Sequence, residues 1–137
     1  MKLLALTYGT EGDTRPMAML CRGLIDAGHD VQLLSDGSTL SSAAALAGDI
    51  QEDVVALLAR GNSTRAASSG LGRMAHRHVA EWTRQADDAA AGCDAVLTGG
   101  LAAFVGISVA ERHGIPVIGT GMIPITPTRA FPSPFLP

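Results

Sequence analysis

The sequence has little cysteine, almost no lysine and no long apolar run. Its 137 residues hold two cysteines, Cys21 and Cys93. Neither stands at a metal-ligand spacing, so the pair reads as two reduced, packed thiols of a cytoplasmic protein. Lys2 is the sole lysine and the net charge is −3. That balance removes the electrostatic case for a nucleic acid partner. The longest apolar stretch, Leu101 to Ala110, is half of a membrane span. The apolar N-terminus runs at once into Glu11 and Asp13 without a small-residue cleavage site, so no signal peptide is expected. Proline is scarce until the end, where five of the seven lie between Pro124 and Pro137. Such a segment is neither helix nor central strand, so 124–137 is expected to be a loop or linker after a domain over 1–123. No internal repeat of fixed period is present.

What is there builds a core. Hydrophobic residues make up 47% and charged residues 17%, which excludes general disorder. One domain of this length buries roughly two-thirds of its unfolded surface. Alanine and arginine are abundant, as in a GC-rich coding bias, so alanine-driven helix signals are discounted. Lys2 to Tyr8 is too short and too apolar for a half-exposed strand and reads as a buried parallel one. A loop, Gly9 to Pro16, follows, and then an amphipathic helix from Met17 to Gly28. Pro16 suits the first turn, and Asp13 or Thr14 can cap the free N–H groups. Leu20, Leu24 and Ala27 share a face, with Met17 just off it, and Gly28 ends the helix in a left-handed conformation. Val31 to Leu34 makes a second strand and a parallel pair with the first.

Residues 38–47 are expected to form a short helix, and Ala44 to Ile50 carries a poor signal for a third strand. Asp53 to Arg60 reads as helical, with Val54, Val55, Leu57 and Leu58 apolar. Gly61 to Gly72 reads as a mobile loop. A long helix is expected from Arg73 to Ala91, with Met74, His78 and Trp82 on one stripe. Asp94 to Thr98 is a strand, Gly99-Gly100 a glycine turn, Leu101 to His113 a helix capped by Gly114, and Ile115 to Gly119 a strand. The whole is a three-layer, Rossmann-like α/β domain with a largely parallel sheet of four or five strands. In such sheets ligands bind at the carboxyl ends of the strands.

The stretch Gly9-Thr10-Glu11-Gly12-Asp13-Thr14-Arg15-Pro16 resembles the N-terminal fingerprint of the glycosyltransferases that include sterol glucosyltransferases and antibiotic glycosyltransferases (family 28, GT-B fold). There the first strand ends in a Gly-Ser/Thr-x-Gly-Asp loop followed shortly by Pro. The similarity continues through Leu20, Arg22, Leu24 and Ala27-Gly28-His29-Asp30-Val31. It recurs at Gly48-Asp49-Ile50, Cys93 to Val96, Ala110 to Pro116 and the proline-rich Pro124 to Pro134. The chain is shorter than that family between its second strand and Gly48, and the family's N-terminal domain runs beyond residue 137. The resemblance implies the acceptor-binding, N-terminal half of a GT-B enzyme. Such an enzyme inverts configuration as it moves a sugar from a nucleotide-diphosphate donor to a hydroxyl of a lipid or natural-product acceptor. It needs no metal or other cofactor, and a second domain, absent here, holds most of the donor. A lipid acceptor would add peripheral contact with a membrane.

An attacking alcohol must lose a proton, so a carboxylate or imidazole must lie within hydrogen-bond reach. Asp13 is expected to be that base, and it also reads as a helix cap. The two roles are compatible, although a helix N-terminus stabilises a carboxylate and weakens it as a base. Thr10 and Gly12 offer backbone N–H groups for a donor phosphate, or form a plain tight turn. Glu11, Gly99, Gly100, Thr120 and Met122 are assigned to the acceptor side, as are His78 and Trp82. Gly99-Gly100 more often serves close strand–helix contact than ligand contact, and a stripe such as Met74, His78, Trp82 is more often core than groove. His29 and His113 sit at helix ends as structural residues, and His76 is expected in solvent. Two rival readings remain. One is a non-catalytic binding or assembly module. The other is a dinucleotide-binding oxidoreductase with Asp36 on a ribose, although no G-x-G-x-x-G is present.

Overall fold

The computed structural model describes residues 1–37, 44–59, 64–122 and 129–130. Five strands form one sheet: β1 (Lys2–Tyr8), β2 (Asp30–Asp36), β3 (Ala44–Leu46), β4 (Ala95–Gly100) and β5 (Val117–Gly119). Their spatial order is β3-β2-β1-β4-β5 and every pair is parallel. Parallel neighbours need crossovers. These contain α1 (Glu11–Asp26), α2 (Ile50–Leu58), α3 (Thr64–Ala90) and α4 (Ala103–His113). The expected α/β architecture is observed, with both faces of the sheet covered.

Alternate residues of β1 divide the core. Leu3 and Ala5 join Met17 and Cys21 of α1 on one face, together with Ala95 and Leu97 of β4. Leu4, Leu6 and Tyr8 join Trp82 and Ala86 of α3 and Val105 and Val109 of α4 on the other. A strand covered on both faces has to be apolar throughout, which is why β1 shows no polar alternation.

Helix α1 starts earlier than its pattern suggests. Glu11 to Asp13 are already helical, and Pro16 lies in the second turn. Thr10 is the N-cap residue but makes no side-chain cap. Its carbonyl instead gathers the first turn, accepting from the Asp13 and Thr14 N–H groups at 2.9 and 3.1 Å and from Thr14 Oγ1 at 3.2 Å. The buried stripe is Thr14, Met17 and Cys21, with Leu24 half-buried, while Leu20 is 41% exposed. Met17 is therefore central to the buried face. Leu20 and Cys21 each fit a stripe with Leu24, and only the docking on the sheet chooses between them. Gly28, at φ 87°, closes the helix: its N–H meets Ile25 O and the His29 N–H meets Leu24 O, a Schellman end.

Three further boundaries differ. Residues 64–72, expected as loop, are the first turns of α3, because its alanines form helix despite Gly70 and Gly72. Residues 60–63 lie outside the described set. The short helix expected over 38–47 is absent from its described part, since Ala44–Leu46 is the edge strand β3. Helix α2 begins at Ile50, three residues early, because two aspartates cap it. Asp36 Oδ2 accepts from Ile50 N–H at 3.1 Å, and Asp49 Oδ1 accepts from Gln51 and Glu52 N–H at 2.9 and 3.3 Å. Within 124–137 only Arg129 and Ala130 are described, in a bend. Among the described residues, no helix is long and apolar enough to cross a membrane.

Candidate functional site

The carboxyl ends of β1, β4 and β5 meet at one rim. Tyr8 is in register with Gly100, and Leu101 N–H reaches Tyr8 O at 2.8 Å. Thr120 N–H reaches Thr98 O at 2.8 Å, which ties the segment after β5 to β4. Thr10, Glu11, Gly12 and Asp13 stand over the end of β1, Gly99 and Gly100 end β4, and Thr120 and Met122 follow β5. These eight residues share the rim.

Asp13 is half-buried at the third helical position of α1. Its carboxyl lies against Gly9, close to the backbone N–H of Thr10. Burial pushes the carboxyl above the ordinary aspartate range, and the Thr10 N–H pulls it back only in part. Desolvation is the larger effect, so Asp13 holds a proton more strongly than an exposed aspartate does.

The other rim residues have the following neighbours. Glu11 pairs with Arg15 at 3.0 Å, with both side chains more than half exposed; such a pair contributes little. Gly99 is buried, and a Cβ there would fall 2.9 Å from Thr120 O, so it serves close packing. Gly100, at φ 58°, presses on Tyr8 O. Thr120 Oγ1 donates to Thr98 O at 3.1 Å, and Met122 is 43% exposed.

Trp82 is a correction. It has no exposed surface and its indole N–H donates to Ala47 O at 2.7 Å, so it is core and lines no acceptor groove. A helix stripe facing a sheet reads the same whether it is core or groove until the sheet is placed. His78, half-buried, stacks on Trp82 with centroids 5.6 Å apart, and Tyr8 lies 4.4 Å from Trp82. This ring cluster supports the rim from beneath. Gly48, at φ 110°, covers it: a Cβ there would fall 2.6 Å from the Tyr8 hydroxyl and 3.0 Å from His78 Nε2. Sequence reasoning missed Tyr8 and Gly48 as parts of the rim. Tyr8 was taken only as a strand residue, and no local pattern announces a close approach from 40 residues away. Asp36 is fully buried and caps α2, which removes the acid on which a ribose contact would depend.

No protein-family model matches the chain. It is 34% identical over 142 residues, 96% of this chain, to a sterol 3-beta-glucosyltransferase of Eremothecium gossypii, and covers 11% of that protein. It is 32% identical over its whole length to the vancomycin aglycone glucosyltransferase of Amycolatopsis orientalis, and covers 33% of it. The chain thus spans between about a tenth and a third of the curated relatives it matches. Among solved structures, the glycosyltransferase SsfS6 of Streptomyces sp. SF2575, complexed with thymidine diphosphate, aligns with a TM-score of 0.64 and 25% identity. That alignment covers 88% of this chain and 38% of the other. The homologues of this chain are therefore glycosyltransferases, and the resemblance noted in the first loop extends over nearly all of it.

Proposed function

We propose that the chain is the acceptor-binding, N-terminal domain of an inverting glycosyltransferase that uses a nucleotide-diphosphate sugar. The observation that carries the reading is Asp13, a rim carboxyl of raised proton affinity in a chain whose relatives are glycosyltransferases. As the acceptor oxygen bonds to the anomeric carbon, the bond to the nucleoside diphosphate breaks and the hydroxyl proton passes to the Asp13 carboxylate. A base nearer neutrality takes that proton more readily. The partial coverage of the relatives supports a donor domain on further polypeptide, with 1–123 as the acceptor domain. No metal or other cofactor is assigned to the domain. The acceptor side comprises Glu11, Gly100, Thr120 and Met122, with Gly99 and His78 beneath. The Thr10 and Gly12 N–H groups are assigned to the donor diphosphate.

The relatives named for sterol and glycopeptide acceptors support a lipid or natural-product acceptor, and a lipid would bring the rim to a membrane surface. Two free, buried thiols, Cys21 and Cys93, support a cytoplasmic setting. The test is Asp13→Asn in the complete enzyme. The expected result is an intact fold and a kcat lower by about 10²-fold or more. Near-normal turnover would end the assignment. The partial coverage of the relatives favours a second, narrower reading for the chain alone, which binds acceptor without turning it over. Calorimetric titration of the isolated chain with sterol and glycopeptide aglycones checks this, and heat with neither would count against it.

A further inference from the structure

We propose that Gly9 is a positioning residue, whose missing side chain leaves the seat in which the Asp13 carboxyl lies at the mouth of the β1–α1 turn. The proposal rests on the Asp13 reading for its catalytic meaning, though not for its geometry. A methyl group built on Gly9 would overlap a carboxyl oxygen of Asp13 and fall 2.6 Å from its Cγ and 2.8 Å from its Cβ. Unbonded carbons sit about 3.5–4.0 Å apart. The three atoms nearest to that methyl all belong to Asp13.

The backbone does not demand glycine here. The left-handed glycines among the described residues are Gly28, Gly48, Gly92, Gly100 and Gly114, and Gly9 is not one of them. The second loop glycine behaves differently, since a Cβ on Gly12 meets only Thr10 Oγ1, at an ordinary 3.7 Å. Between the two, only Gly9 is tied to the carboxyl. Rotation about the Asp13 side chain would carry Cγ and the carboxyl oxygen away from the methyl but leave Cβ in place, so the carboxyl and the β1–α1 turn must both shift. A carboxyl turned outward would lose its shelter from water.

The experiment follows the Asp13 carboxyl carbon by NMR titration in this 137-residue chain. Gly9→Ala is expected to move the titration down toward the ordinary aspartate value, and Gly12→Ala to leave it in place. An unmoved Asp13 titration in Gly9→Ala overturns the proposal. Thermal unfolding supplies a second arm that survives a poorly folding variant. Gly9→Ala should lower Tm with Asp13 present and lose most of that effect in an Asp13→Gly background. An equal loss in both backgrounds, or no folding in either, overturns it as well. In the complete enzyme the acid limb of the kcat profile should move with the NMR titration, with acceptor KM retained. Normal turnover by Asp13→Asn would end the general-base reading and leave the NMR result standing, so the two failures are distinguishable.

Discussion

The indole N–H of Trp82 donates to the carbonyl of Ala47 at 2.7 Å, and this bond pins the long helix α3 to the turn that follows the edge strand β3. The ring also fills the space beneath Tyr8. Trp82→Phe keeps an aromatic ring but leaves the carbonyl without its donor. The expected loss is about 1–3 kcal/mol in urea unfolding. A loss near zero would show that solvent replaces the indole.

The raised Asp13 carboxyl makes stability depend on pH. Its proton is held more tightly folded than unfolded, so its contribution is full below the ordinary value of 3.8 and is lost as pH rises through the folded value. Asp13→Asn cannot ionise. Its stability relative to the parent should therefore rise from acid pH, below 3.8, to neutrality, as read by unfolding at a series of pH values. A constant difference would show that burial does not perturb the carboxyl.

Two helix glycines should respond with opposite sign. Gly23 of α1 is exposed, and a Cβ there would meet nothing within 4 Å. Gly23→Ala should stabilise by about 0.5–1 kcal/mol through helix propensity. Gly106 of α4 lies on β4, and a Cβ there would fall 2.6 Å from the Cβ of Thr98. Gly106→Ala should destabilise by about 1–3 kcal/mol. Paired thermal melts check both signs.

Asp36→Ala should loosen α2, because the buried carboxylate holds the Ile50 N–H at its start. The expected cost is about 2 kcal/mol. Addition of NADH to the parent chain should leave Tm unchanged, because the carboxyl that would hold a ribose is occupied by the backbone. A saturable NADH-dependent rise in Tm would revive the dinucleotide reading.

The rim was legible where short-range chemistry writes it. A glycine-bearing loop after an apolar strand, with an acid just before a helix, places Asp13 near the strand ends from local rules alone. Long-range packing left no such trace. Leu20 and Cys21 compete for one stripe, and the sheet decides. Gly48 looks like an ordinary turn glycine, and only the Tyr8 hydroxyl, far back in the sequence, shows what a side chain would displace.

The amino-acid order by itself determined the class of fold, because a strand buried on both faces must be apolar throughout and the βα turn carries its own glycines and capping residues. It also determined that a carboxylate stands at the first turn. Tertiary structure alone decided that Trp82 is core and that Asp36 is a cap. It decided too that Asp13 binds its proton more tightly rather than less. The physical reason is common to all three. Burial, desolvation and the reach of Asp36 to Ile50 are set by neighbours distant in sequence, whereas propensity and local capping act within a few residues.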